Sequence, residues 1–300
     1  NGQDITWASS FNSFGLVKVG LGTLTLAGAN NVTSFGSPSL QLNGGTLALG
    51  SAGALGSSPS IRFGGGTLRY SVANTTDYSA FFTQSANQSF KIDTNGQDVS
   101  FATGLVSDGG SLSKLGSGRL TLSAANTYTG VTNISSGTLA LDGSGAIATS
   151  SHVVADGILD ISGTTGASVA SLSSTGAGIG AVNLGSQTLT ITNGAHTFYG
   201  VIADGGISGG SSGRVVLGGG RQEFAGVNTY SGSTQINGGT LVITSENNLG
   251  VVPTAVTNNA LTLNGGTLLL EGSSNTVSLN VNRGIVVGSS GGGVEIGRAH

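Results

Sequence analysis

Asp142, Asp156 and Asp160, with His152 close by in sequence, form the densest group of side chains in this chain that could do acid/base or metal chemistry. Clustered carboxylates protonate and attack glycosidic bonds or hold calcium, usually with Arg or Lys alongside when the sugar is acidic. Asp156 and Asp160 lie four residues apart, a spacing that puts both on one face of a strand, yet no Arg or Lys occurs in that stretch. The expected reading is solvated outer-face and turn carboxylates, with a catalytic or metal role as the lesser alternative. Asp108 and Asp204 both stand in Asp-Gly-Gly, which is first of all a turn signal. Residues 209–213 and 288–292 satisfy G-x-S-x-G, but a nucleophile elbow needs a strand, a sharp turn and a helix. In a chain with 55 glycines the match is expected by chance. His152, His196 and His300 are too dispersed in sequence to suggest a metal site. Tyr128 and Tyr230, each in Asn-Thr-Tyr, could offer aromatic platforms to sugars, but packing over a neighbouring turn is the expected role. Lys18 and Lys114 read as surface-facing strand residues. No residue is assigned to a cofactor or a metal.

What must position these side chains is a recurring phrase, Gly-Thr-Leu followed by two more alternating residues, at 22–26, 45–49, 66–70, 137–141, 239–243 and 266–270. Along a strand successive side chains point to opposite faces, so Leu24 and Leu26 share one face while Thr23 and Thr25 share the other. From Thr23 to Thr46 is 23 residues and on to Thr67 a further 21, the length of one coil of a β-solenoid. Charged residues make up 8% of the chain, against about 25% in ordinary globular proteins. Aliphatic residues come in short runs broken by Gly, Ser, Asn and Thr, with almost no helical period. The prediction is an all-β stack of coils with little or no helix. A net charge of −3 with scattered basic residues excludes a nucleic-acid partner. No run of 18 apolar residues could span a bilayer as a helix, and without cysteine there is no disulfide. A chain that starts at Asn1 and contains no methionine is expected to be a fragment, with any signal peptide or anchor outside it.

A longer period overlies the coil. Lys18-Val19-Gly20-Leu21-Gly22 returns as Lys114-Leu115-Gly116-Ser117-Gly118, 96 residues on, and a further 102 residues bring Val216-Leu217-Gly218-Gly219-Gly220. Asn30, Asn126 and Asn228 follow at matching places. The three copies run approximately over 16–70, 112–162 and 214–272, joined by intervening coils within one β-helical domain covering 1–300. The first copy has a longer loop after Asn30, and the third gains a Gly/Ser segment at 209–213. Indels fall in turns while strands keep register, as in solenoids. Leu24, Leu26, Leu47, Leu49, Leu68, Leu120, Leu122, Leu139, Leu141, Leu241 and Leu268 are expected inside, with Thr, Ser and Asn in outward ladders. At about 4.8 Å per coil, some 14 coils would make a rod roughly 65 Å long.

The string from Leu112 through Arg119-Leu120-Thr121-Leu122 and Asn126-Thr127-Tyr128-Thr129-Gly130 to Gly137-Thr138-Leu139-Ala140-Leu141 resembles the autotransporter-associated β-strand repeat, or passenger-associated transport repeat. Copies begin near Leu16, Leu112 and Arg214; the first lacks the Thr-Tyr pair, and the third has Val216 for the lysine and Gln222-Glu223-Phe224 for Leu-Thr-Leu. The resemblance implies a right-handed parallel β-helix, a secreted or surface-displayed type V passenger of a Gram-negative bacterium, exported through periplasm and outer membrane by a C-terminal outer-membrane β-barrel. Such passengers act as stalks or adhesins, so a host or matrix glycan or protein is a possible partner, and an uncapped coil is a route to self-association. No enzyme activity is expected. The rival class is a β-helical polysaccharide lyase or glycoside hydrolase, which would rest on Asp142, Asp156 and Asp160.

Overall fold

The computed structural model describes residues 2–13, 15–32, 38–56, 59–271 and 277–297. His300, the lengthened loop of the first copy at 33–37 and the third copy's last residue, 272, lie outside the described residues. Among the described residues the named strands pair in parallel, and the helical segments are two 3-10 turns, Ser79–Phe81 and Glu246–Leu249. No helix there is long and apolar enough to cross a membrane. The chain forms two compact units, Asn1–Ala140 with Ser144–Ser150, and Leu141–Gly143 with Ser151–His300. Each is a stack of β-solenoid coils.

In the first unit the strands Ile5–Trp7, Thr23–Leu26, Thr46–Leu49, Thr67–Arg69, Ser89–Asp93, Ser111–Leu115 and Thr132–Ile134 stack in that order. Register is strict: Thr23 pairs with Thr46 and Thr46 with Thr67, while Leu24 pairs with Leu47 and Leu47 with Leu68. Like residues thus sit on like residues, and each buried leucine withdraws its side chain from water at a gain of about 1.5–3 kcal/mol. Leu26, Leu47, Leu49 and Leu68 are fully buried. Leu24 is only half-buried, contrary to expectation, because the strand paired to it carries Ile5 at 60% and Trp7 at 50% exposure. Farther along, Phe63, Phe82 and Phe101 fill the interior edge to face, with ring centroids 4.9 and 5.4 Å apart.

Besides the short pair Asn12–Ser13 with Asn31–Val32, two further ladders contribute to this unit. One holds Leu16–Lys18, Leu40–Leu42 and Ile61–Phe63, and the other joins Val99–Phe101 to Arg119–Leu122. Repeat copies therefore do not occupy the same sides. The first copy's Leu16–Lys18 lies in the three-stranded ladder and its Thr23–Leu26 in the long one, whereas the second copy's Ser111–Leu115 joins the long ladder.

In the second unit Ala167–Val169, Thr188–Ile191, Arg214–Leu217, Thr234–Ile236, Thr257–Leu263 and Arg283–Val287 form one ladder, and Thr197–Phe198, Arg221–Phe224, Thr240–Ile243, Thr267–Leu270 and Gly293–Ile296 another. Leu241 stacks on Leu268 and Ile243 on Leu270. The pairing also corrects the third copy's alignment. Lys114 pairs with Ile134 two residues after Leu112 pairs with Thr132, and Leu217 pairs with Ile236 two residues after Val215 pairs with Thr234. Leu217, and not Val216, stands in the place of the lysine, because the following turn is one residue shorter.

At the coil corners glycine is required by both conformation and space. Gly137 has φ +64°, and a Cβ there would fall 2.3 Å from the Gly118 carbonyl oxygen and 2.5 Å from that of Gly116. Gly143 has φ +55° but nothing within 4 Å of an added Cβ. Gly143→Ala should cost about 1 kcal/mol for the left-handed backbone, and Gly137→Ala at least twice that, because backbone of the adjoining coil must move. Urea unfolding of the two variants measures the difference.

Candidate functional site

Read from its residues, the acidic group does not converge. Asp142 is exposed, and its Oδ1 would lie 2.5 Å from a Cβ placed on Gly163. Asp156 is half-buried in the turn before Ile158–Thr164, where its Oδ1 accepts the Thr175 amide at 2.7 Å. Asp160 departs from the expected solvated carboxylate, being 1% exposed. Its Oδ1 accepts the Ser162 amide at 3.0 Å and the Ser162 hydroxyl at 2.6 Å, and its Oδ2 accepts the Ile207 amide at 2.8 Å. The Ser208 amide donates to Ser162 Oγ at 3.0 Å. The Gly-rich segment after Asp204 thus folds down over this face, and Asp160 is the peg that holds it. Both oxygens of Asp160 are thus engaged by Ser162 and Ile207, while Asp156 turns to Thr175, so the two carboxylates answer different partners.

Among the described residues no group of three His, Asp or Glu could hold a metal. Two of the histidines nonetheless meet, which their sequence separation concealed. His152 and His196 stack with ring centroids 3.8 Å apart and planes 6° apart. His152 Nε2 lies 2.8 Å from Ser173 Oγ, and His196 Nδ1 2.8 Å from Ser171 Oγ. Burial, and then the neighbouring His196 ring, hold the His152 imidazole below its ordinary pKa. Stacked rings turn their faces to each other instead of converging lone pairs on one ion, so the pair is a packing element.

Asp108 and Asp204 serve geometry. Asp108 Oδ1 accepts from the Thr129 hydroxyl at 3.1 Å, and Asp204 Oδ2 from the Ser231 hydroxyl at 2.5 Å, across matching positions of two copies. Residues 209–213 show no elbow: Gly209, Gly210 and Ser212 all have positive φ, and a strand, Arg214–Leu217, follows where a helix would be needed. Tyr128 and Tyr230 are 1% and 0% exposed, and each places its hydroxyl 2.6 Å from a threonine, Thr132 or Thr234. Neither ring is a platform. The first copy, which lacks the tyrosine, has Leu40 at the strand position that Thr132 and Thr234 hold in the other two.

The lysines overturn their reading most clearly. Lys18 is 6% exposed and Lys114 0%. Lys114 Nζ donates to the carbonyls of Leu115, Gly116 and Ser136 at 2.9, 2.7 and 3.1 Å. Lys18 Nζ donates to those of Val19, Gly20 and Gly44 at 2.8, 3.2 and 3.1 Å. Each ammonium spends its three protons on the corner carbonyls of its own coil and the next. Burial pulls Lys114 down to about 8, against the opposing pull of Asp93, and lowers Lys18 likewise. The signal was present in the strand period: Lys114 stands two residues after Leu112 and so shares its inward face.

The asparagines do the same work. Asn126 accepts the Leu105 amide at 2.9 Å and donates to the carbonyls of Ala124 and Ala146, both at 2.9 Å. Asn228 accepts the Ile202 amide at 2.8 Å and donates to Asn248 at 2.6 Å; Asn30 accepts from Phe11 at 3.2 Å and donates to Ala54 at 3.0 Å. Each clamps the coil before it to the coil after it. In the third copy Gln222, 0% exposed, donates to the carbonyls of Leu172 and His196 at 2.9 and 2.8 Å.

Residues 16–49, 112–141 and 215–243 match the family model described as passenger-associated-transport-repeat. Over 198 residues, 63% of this chain, the sequence is 38% identical to the adhesin BmaC autotransporter of Brucella suis biovar 1 (strain 1330), of which the match spans 6% of the length. No solved structure matches.

Two outcomes follow from the clamps. Asn126→Ala leaves a buried amide and carbonyls unanswered and should cost about 2–4 kcal/mol in urea unfolding. Lys114→Ala should cost a similar amount at pH 7. Because the folded state holds the lysine proton less tightly than an unfolded chain, with its pKa near 10.4, this group makes stability rise with pH from about 8 toward 10. That rise should vanish in Lys114→Ala.

Proposed function

We propose that this autotransporter passenger segment, with its three passenger-associated transport repeats, is a structural stalk whose coil stacking supports export and surface display of a larger protein. The observation that carries the reading is where the repeat's polar residues go: Asn30, Asn126, Asn228, Lys18 and Lys114 are buried and spent on joining coils. A protein made of nearest-neighbour units can fold coil by coil as it emerges, and each added coil then disfavours sliding back. The likeness to an autotransporter adhesin supports a surface or extracellular location in a Gram-negative bacterium. It also supports passage through the periplasm and the outer membrane by way of a C-terminal β-barrel translocator in the full-length chain. Adhesion to a host or matrix glycan or protein, through this stalk or another part of the molecule, is consistent with the same likeness. Polysaccharide cleavage is not favoured, since Asp156 and Asp160 are committed to backbone amides.

The test is made in the full-length protein in its own bacterium. Leu241 is buried in the stack, and Leu241→Asp should reduce severalfold the passenger reached by protease added outside the cell, with the remainder retained in the periplasm. Display equal to that of the unaltered protein, in amount and rate, would remove stacking as the basis of export.

A further inference from the structure

The second unit carries a cleft of about 650 Å³ whose walls include Arg214, Ser233, Gln235, Asn258, Asn259 and Val286, and nothing in the repeat pattern requires it. Its size is in the range of small-ligand sites. One wall is an irregularity in the ladder: Thr257 pairs with Arg283 and Leu261 with Ile285, so two extra residues stand on Thr257–Leu263. Within this bulge Asn259 has φ +60°. Bulges and left-handed non-glycine residues cost stability and gather where a surface is shaped for use. The opposite rim is held firm by Asp204, whose carboxylate accepts the amides of Ser212, Gly213 and Ser231 at 3.3, 2.9 and 3.1 Å, besides the Ser231 hydroxyl.

The charge in the cleft wall comes from Arg214. It is exposed, and among the described residues ion pairs are made by Arg69, Arg119, Arg221 and Arg283 while the Arg214 guanidinium makes none. Asp204, which braces the opposite rim, already has four donors. What remains is one unanswered cation among hydroxyls and side-chain amides, with Val286, 39% exposed, as an apolar contact. A partner that fits must offer many hydroxyls, few apolar groups and one carboxylate, since guanidinium pairs with carboxylate through two parallel hydrogen bonds. A peptide would need apolar anchors, and Val286 is the one large apolar side chain lining the cleft among the described residues. The outer strand of this ladder, Arg283–Val287, has a free edge that a peptide could use, and hexaglutamate tests that occupant.

We propose that this cleft binds an acidic saccharide, with Arg214 holding the sugar carboxylate and Gln235, Asn258 and Asn259 holding its hydroxyls. The proposal does not rest on the export reading, because it is tested with the purified 300-residue chain. Titrations followed by NMR would use 3′-sialyllactose, a hexasaccharide alternating glucuronate with N-acetylglucosamine, neutral lactose, and a hexaglutamate peptide. At least one acidic sugar should bind at least tenfold more tightly than lactose and hexaglutamate, and less tightly as salt is raised. Arg214→Gln should weaken it about tenfold and Asn258→Ala severalfold, while Arg62→Gln, far from the cleft in sequence and in the other unit, should leave it unchanged. Arg214 is exposed, so the variant should melt with the parent. Acidic sugars binding no better than lactose, hexaglutamate binding as well as they do, or undiminished binding to Arg214→Gln would each overturn the proposal.

Discussion

A stack of coils stands or falls on how the corners are answered. Along the strands each backbone amide and carbonyl finds its partner in the coil above or below, but where the chain turns, carbonyls point inward with no strand to meet them, and a buried unpaired carbonyl costs a few kcal/mol. Here the answer comes from side chains. Lys114 gathers the carbonyls of Leu115, Gly116 and Ser136, and Asn126 joins Leu105, Ala124 and Ala146. Glycine at the same corners lets neighbouring backbones approach more closely than any Cβ would allow, as at Gly137. Leucine stacking supplies the driving force, and these polar clamps decide that only one register satisfies it.

The same logic explains how the repeat tolerates change. Clamping is not tied to one residue type: the third copy replaces lysine by Leu217 and shortens its turn, and elsewhere in that copy Gln222 takes up the carbonyls of Leu172 and His196 from preceding coils. The first copy dispenses with the tyrosine and sets Leu40 where the others have a threonine for it. Copies can also sit on different sides of the solenoid, as the first and second do, because parallel ladders of equal spacing offer each strand the same partners.

Function divides along the same line. The interior is occupied with holding coils together, and its buried carboxylate, Asp160, pegs a loop. Regularity breaks on the outside, at the bulged wall and lone guanidinium around Arg214, and it is there that the proposed recognition would take place. A uniform stack can carry such a cleft only where an inserted turn or bulge leaves the inward leucines in register.

Composition and the period of the Gly-Thr-Leu phrase were enough to establish an all-β solenoid, its coil length and most of its core, because alternation and stacking are local properties written into each strand. The three repeat copies and the turn role of Asp108 and Asp204 were equally legible. What the sequence left open depends on neighbours a coil or more away. Strand alternation alone put Lys114 on the inward face, yet only the carbonyls brought by the next coil make that burial tolerable. The meeting of His152 with His196, the covering of Asp160 by Ile207 and the half-exposure of Leu24 each depend on which distant turn lies above or below. The cleft beside Arg214 needs a bulge whose register only the paired strand reveals. Sequence determined the unit and its period; tertiary structure decided which polar groups lie inside, because burial and partnership are set by the stacked neighbour and not by the residue itself.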